Sequence, residues 1–182
     1  MNEQDLRVIK TKKVLFHSLV ELLKTEHFHE ITVTKICKSA QVNRSTFYAH
    51  YANIDELFEQ YFNEIMSDLE EDYEGILEQL NRREKESMVP LYEHILDNRS
   101  FYDMLLSENA PLKYVSAFNQ LLIRFPKEII DQNVREGTDL ELYYAFCTSA
   151  TMGIIYHWKN SNYAKSPLEM GIQTMNFFTR DL

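Results

Sequence analysis

The chemistry in this chain gathers between Asn43 and Tyr51, where Arg44, Ser45, Thr46, Tyr48 and His50 place hydrogen-bond donors on one short stretch with little aliphatic bulk. Ile36, Ala40, Val42, Phe47 and Tyr51 supply a small apolar wedge around it. A donor-rich helix held clear of the body by such a wedge has the shape and polarity that enter a DNA major groove. An ordinary helical hairpin would carry the same pattern, so spacing alone leaves both readings open.

The elements that position these residues follow from local signals. Thr32 reads as the N-cap of a helix over Val33–Ala40, and Asn43 as the N-cap of one over Arg44–His50, since a short side-chain oxygen accepts from a free first-turn N–H. The helix before them runs from about Asp5 to Lys24, with Leu15, Leu19, Leu22 and Leu23 on one face. Asn53-Ile54-Asp55-Glu56 reads as the capped start of a long helix striped with Leu57, Phe58, Tyr61, Phe62, Ile65, Met66 and Leu69. Further helices are expected at about Arg83–Leu96 and Phe101–Ser107. Another opens at Asn109-Ala110-Pro111, with a break at Pro126. Few Gly and Pro and no sustained alternation exclude a sheet. The fold class expected is all-α.

The stretch from about Leu15 to Leu57 resembles the DNA-binding region of the TetR family of bacterial transcriptional regulators. The resemblance is carried by the leucine spacing of the first helix, His27-Phe28, Thr32-Val33, Ile36, Ala40, Val42, Ser45-Thr46-Phe47-Tyr48, His50-Tyr51 and Leu57. It implies a three-helix helix-turn-helix head on a helical effector and dimerisation domain. The expected domains are 5–65, with the helix-turn-helix at about 32–51, and 66–182. It further implies that Arg44, Ser45 and Thr46 face base edges, that Thr34, Lys35, Tyr48 and His50 hold phosphates, and that Asn43 completes the DNA-facing set. Three positions depart from the family pattern: Gln41 stands at the usual turn glycine, His27 replaces another frequent glycine, and Ile54 stands where a phosphate-contacting lysine is common.

The charge fits once it is divided. The chain of 182 residues carries −9 overall, yet residues 1–51 hold eight Lys and Arg against five Asp and Glu, a net +3, leaving −12 on the remainder. Attraction to phosphate is screened beyond about 8 Å at physiological salt, so a basic head on an acidic body still binds DNA. Cys37 and Cys147 are far apart and read as free buried thiols, as suits a reducing cytoplasm. No apolar run is long enough for a membrane span, and the polar N-terminus lacks a signal-peptide core, so a cytoplasmic location is expected. His27 and His29 beside Glu26 and Glu30 invite a metal reading, but no helical ligand spacing supports one. There is no phosphate loop or nucleophile elbow, so neither catalysis, a metal nor a cofactor is expected.

The C-terminal third has its own pattern. Thr138-Asp139-Leu140-Glu141 and Ser166-Pro167-Leu168-Glu169 read as capping boxes for helices over about Asp139–Asn160 and Leu168–Arg180. The first is apolar on more than one side, with Leu140, Tyr143, Tyr144, Cys147, Thr151, Ile154, Ile155 and Trp158 on one face and the small residues Ala145, Ser149 and Gly153 beside it. A helix apolar on several sides is buried on several sides. A homodimer interface is therefore expected through Tyr144, Cys147, Thr151, Ile154, Ile155, Trp158, Ile172 and Met175, with intrachain core as the alternative use of these side chains. The reading that results is a homodimeric regulator, a repressor by expectation, binding a palindromic double-stranded DNA operator and released by a small-molecule or protein effector. The alternative is a co-regulator acting through protein contacts with weak DNA binding.

Overall fold

The computed structural model describes residues 3–82, 84–129 and 137–179. Among them are ten α-helices and no strand: α1 (Glu3–Leu23), α2 (Val33–Ala40), α3 (Arg44–Tyr48), α4 (Ile54–Asn81), α5 (Val89–Asp97), α6 (Arg99–Leu105), α7 (Leu112–Leu122), α8 (Arg124–Ile129), α9 (Leu140–Asn160) and α10 (Pro167–Thr179). A single 3-10 turn, Phe28–Glu30, links α1 to α2. The fold is all-α, with a helix-turn-helix arrangement near its N-terminus and a helical bundle after it. The helices form two compact units: the described residues up to Ile65 with Ser100–Leu112, and Met66–Arg99 with the described residues from Lys113 onward.

In the first unit, α1 buries Leu15, Phe16, Leu19, Val20 and Leu23, and the helices after it bury Ile36 of α2, Phe47 of α3, and Leu57 and Phe58 of α4. Phe16 stacks on Tyr61, and Phe28 meets Phe58 edge to face at 5.6 Å. Leu22, on the expected apolar face of α1, is only half-buried. The carbonyl of Leu23 at the end of α1 accepts from the Asn109 side chain at 3.0 Å, so Asn109 closes one helix rather than opening the next.

The second unit packs α10 closely on α5. A Cβ on Gly171 would lie 2.8 Å from the backbone nitrogen of Val89, so only glycine permits this approach. Tyr92 of α5 shares a buried 2.6 Å hydrogen bond with Thr174 of α10. Trp158 of α9 packs edge-on against Tyr92 and Tyr163, and its indole N–H donates to the Lys165 carbonyl at 2.9 Å.

Several boundaries differ from those read in the sequence, each for a local reason. The helix expected from Arg83 begins at Val89, because Pro90 fits only a first turn; Arg83 itself lies outside the described residues. The break expected at Pro126 falls at Ile123, between α7 and α8, since proline has no N–H to give the carbonyl four residues back. The cap of α9 is Asp139, whose side chain accepts from the Leu142 N–H at 3.2 Å, and not Thr138. The second capping box stands as read: the Ser166 hydroxyl accepts from the Glu169 N–H at 3.3 Å, and the Glu169 carboxylate accepts from the Ser166 N–H at 2.8 Å. The last helix ends at Thr179, and Arg180 lies outside the described residues.

Gln41, at the end of α2, adopts φ 53° and ψ 40°, the left-handed region that a side chain disfavours. Gln41→Gly is therefore expected to raise the stability of the first unit by about 0.5–1 kcal/mol, read as a higher urea midpoint at unchanged slope.

Candidate nucleic-acid interface

The turn that sets α3 against α2 is built by backbone groups. The Thr32 hydroxyl accepts from the Lys35 N–H at 3.3 Å, starting α2 as its sequence predicts. At the other end the left-handed Gln41 lets the Val42 N–H reach the Cys37 carbonyl at 3.0 Å, which stops the helix and reverses the chain. Asn43 then takes the extended N-cap conformation. Its side chain makes no capping bond, contrary to expectation, and only its carbonyl is engaged, by the N–H groups of Thr46 and Phe47 at 3.0 and 3.2 Å. The Asn43 amide is thus left exposed beside the helix start.

Phe47 is fully buried. With about 100° between successive residues, Ser45 lies nearly opposite Phe47, while Tyr48 stands to one side and Arg44, three residues earlier, neighbours it at the helix start; all three are exposed. Thr46 and His50 are half-buried at the flanks. The Arg44 guanidinium lies over the Tyr48 ring at 6.0 Å, which steadies the longest donor on the helix. The helix ends at Tyr48, two residues short of the expected His50.

Thr34 and Lys35 are exposed on α2. Lys35 does not stand free: its ammonium is 2.5 Å from the Glu26 carboxylate and 3.1 Å from the Glu30 carbonyl. Sequence reading missed the pairing of Glu26 with Lys35, which a separation of nine residues across a loop does not flag. After α3, the Asn53 side chain accepts from the Glu56 N–H at 2.8 Å, while the Glu56 carboxylate reaches back to the Ala52 N–H at 2.5 Å. The first turn of α4 thus offers Ile54, Asp55 and Glu56, with no cation.

The two titratable groups beneath this surface keep their protons. Burial pushes the Cys37 thiol up, opposed only in part by Arg44, which makes it a packing group. Burial, with the Glu64 and Glu56 carboxylates, pushes the Tyr51 phenol up to about 12. The described residues contain no group of three side chains able to hold a metal, and His27 and His29 stack on one another at 5.7 Å.

The expected interface residues of the C-terminal helices fall mainly inside the second unit. Tyr144, Cys147, Thr151, Ile155, Trp158 and Met175 are all buried, and Ile154 and Ile172 are half-buried. That burial is the one expected of intrachain core, the alternative use read for these side chains in the sequence. On the outer face of the same helices stand Leu142, Phe146, Leu168 and Phe177, 70%, 54%, 48% and 55% exposed. Beside them, Ser149 and Gly153 are exposed, the glycine with open space around its backbone.

Two helices joined by a left-handed turn, the second presenting Arg, Ser and Tyr outward from a buried Phe, define a helix-turn-helix DNA-binding protein. Residues 15–61 match the family profile described as "Bacterial regulatory proteins, tetR family", and residues 83–180 match one described as "Transcriptional regulator C-terminal region". The chain belongs to the TetR family of transcriptional regulators, which are not enzymes.

Among curated proteins it is similar to the HTH-type dhaKLM operon transcriptional activator DhaS of Lactococcus lactis, 28% identical over 142 residues covering 73% of this chain and 70% of that one. Two solved structures share its fold. One is a TetR transcriptional regulator from Streptococcus agalactiae, at TM-score 0.65 and 19% identity over 97% of this chain and 98% of that one. The other is the transcriptional regulator FadR from Bacillus subtilis, solved with stearoyl-CoA, at TM-score 0.64 and 16% identity over 93% of this chain and 98% of that one. No helix among the described residues is long and apolar enough to cross a membrane.

An unfolded tyrosine loses its proton near pH 10, whereas folded Tyr51 holds its proton to about 12. The folded state therefore binds more protons across that window. Its stability is complete below about pH 10 and falls as pH climbs toward 12. Thermal midpoints measured across this range should fall less steeply in Tyr51→Phe than in the wild type.

Proposed function

We propose that the chain binds a palindromic operator as a homodimer and so controls transcription of nearby genes, with residues 5–65 as the DNA-reading domain and 66–182 as the dimerisation and effector domain. The observation that carries this is the exposure of Arg44, Ser45 and Tyr48 on a helix anchored by the buried Phe47. One such helix reads too few base pairs to find a site in a genome. Two related by a dyad, about 34–36 Å apart, read successive major-groove faces. Arg44, Ser45 and Thr46 address base edges, and Asn43, Thr34, Lys35, Tyr48 and His50 hold the backbone.

The pairing surface is the outer face of α9 and α10. Along α9 that face is wide at Leu142 and Phe146 and narrow at Ser149 and Gly153, where a Cβ on the glycine would meet nothing within 4 Å. Two copies in antiparallel register could seat the wide end of one in the narrow end of the other, twice over, as a two-fold axis requires. An effector acts by favouring one spacing of the paired heads, which demands unequal affinity for the two states. A groove of about 470 Å³ between α7 and α9, lined by Val115, Asn119, Met152 and Tyr156 among others, is one place in the described body where a ligand or a helix would fit.

The sign of regulation is proposed as repression, by occlusion of a promoter. The name of the Lactococcus lactis relative favours activation as the second reading, and reporter expression with and without the regulator separates them. A co-regulator with weak DNA binding is favoured by the cation-free first turn of α4 and by the hold of Glu26 on Lys35. Selection from random genomic fragments at low and moderate salt decides. Enrichment of one palindrome supports the operator reading, and no retained DNA even at low salt supports the co-regulator.

Two substitutions probe the parts. Arg44→Ala should cost about 1–3 kcal/mol on the selected operator and relax preference at one base pair, measured on a permuted operator set. Phe146→Glu should shift the protein to monomer in sedimentation equilibrium and cost operator affinity, with the helical circular dichroism signal kept, because the side chain stands outside the core.

A further inference from the structure

The turn that closes the recognition helix contains Tyr51, and the positive charge beside it comes from α1. The Lys12 ammonium lies over the Tyr51 ring, 5.8 Å from its centroid. The next segment of chain supplies no cation, only Ile54, Asp55 and Glu56. Half of the eight Lys and Arg in the first 65 residues, namely Arg7, Lys10, Lys12 and Lys13, fall within seven positions of α1. No ion pair to any of the four occurs among the described residues. Helical spacing divides them. Lys12 is half-buried on the side that meets Tyr51, while Arg7, Lys10 and Lys13 are exposed on other sides of the helix.

We infer that Lys12 is a DNA-backbone ligand delivered from α1, gripping a phosphate beside the end of the recognition helix. The inference rests on the proposed DNA-reading function and adds a residue that the helix-turn-helix pattern does not contain. The chemistry suits it. A lysine ammonium is a compact charge on a flexible stem, able to hold a phosphate without preference for the base attached to it. The Tyr51 ring orients that stem, and the Tyr51 hydroxyl feels the Glu56 and Glu64 carboxylates. The structural alternative is therefore that Lys12 only balances those two acids within the folded head.

Salt dependence separates the two roles, because each cation withdrawn from a phosphate makes log K fall less steeply with log salt, by about 0.9 in slope. The wild type, Lys12→Met, Lys12→Arg and Lys13→Ala are compared by fluorescence anisotropy on a random-sequence duplex of about three helical turns, over a potassium chloride series. Lys12→Met keeps an aliphatic stem over Tyr51 and should lower the slope by about 1.8 for a dimer, one phosphate per protomer. Lys12→Arg should restore the wild-type slope, and Lys13→Ala should leave it unchanged. A wild-type slope in Lys12→Met, with or without a lower melting temperature, overturns the inference and marks the lysine as a counter-ion. An equal drop in Lys13→Ala overturns it as well, by showing a diffuse charge effect. A wild-type protein that retains no duplex at low salt overturns the DNA-reading function and the role of Lys12 together; a wild-type slope in Lys12→Met overturns the role of Lys12 alone.

Discussion

A helix of five residues has almost no stability of its own, and α3 is held in place by one buried ring. Phe47 is inaccessible to solvent, with Tyr48 edge-on at 5.5 Å and Tyr51 tilted against it at 5.8 Å. Burying such a side chain contributes roughly 1.5–3 kcal/mol, as much as two or three backbone hydrogen bonds. Because the ring fixes the rotation of the helix about its axis, it also fixes which residues point outward. Ser45, nearly opposite Phe47, is exposed as a consequence, and Arg44 and Tyr48 are exposed beside it. The left-handed backbone at Gln41 does the complementary task of fixing the angle between α2 and α3.

The charges of the head add little to its stability. Lys35 is held by Glu26, with the two side chains 45% and 27% exposed. Pairs this exposed contribute about 0–1 kcal/mol. Breaking so exposed a pair therefore costs the head little. A deeply buried pair would hold the lysine back. The first-turn acids of α4 work in the opposite direction. They favour the helix N-terminus and leave the cations of the head on α1, α2 and α3.

Much of this was legible from residue types. Thr32 capping α2, the apolar wedge of Ile36, Ala40 and Phe47, and the Ser166–Glu169 box are all local signals whose effects are complete within four residues. The Gln41 turn was legible too, as a position needing left-handed backbone whatever residue occupied it. The Asn43 cap failed although its position was right, because the carbonyl alone engages the first-turn N–H groups. Pairings distant in sequence left no trace. Glu26 on Lys35, Lys12 over Tyr51 and Asn109 on the Leu23 carbonyl depend on how helices pack, and spacing says nothing about it. Pro90 was a readable signal of a helix start that the apolar pattern around it masked.

The sorting of faces on α9 shows a more general limit. Periodicity showed a helix apolar on two sides, which is correct, and could not say which side its own chain would claim. Packing decides that by what each side chain requires. Trp158 needs both close neighbours and an acceptor for its N–H, and finds Tyr92, Tyr163 and the Lys165 carbonyl only on the inner side. Thr148 and Thr151 satisfy their hydroxyls on the carbonyls of Tyr144 and Cys147, at 2.8 and 2.9 Å, and so tolerate burial. Leu142 and Phe146 have no polar group to satisfy and are left outside, next to residues too small to fill space. An exposed face that is both apolar and uneven is stable only when something of matching relief covers it. The inner face of α9 therefore accounts for the fold of one chain, and the outer face keeps Leu142 and Phe146 exposed.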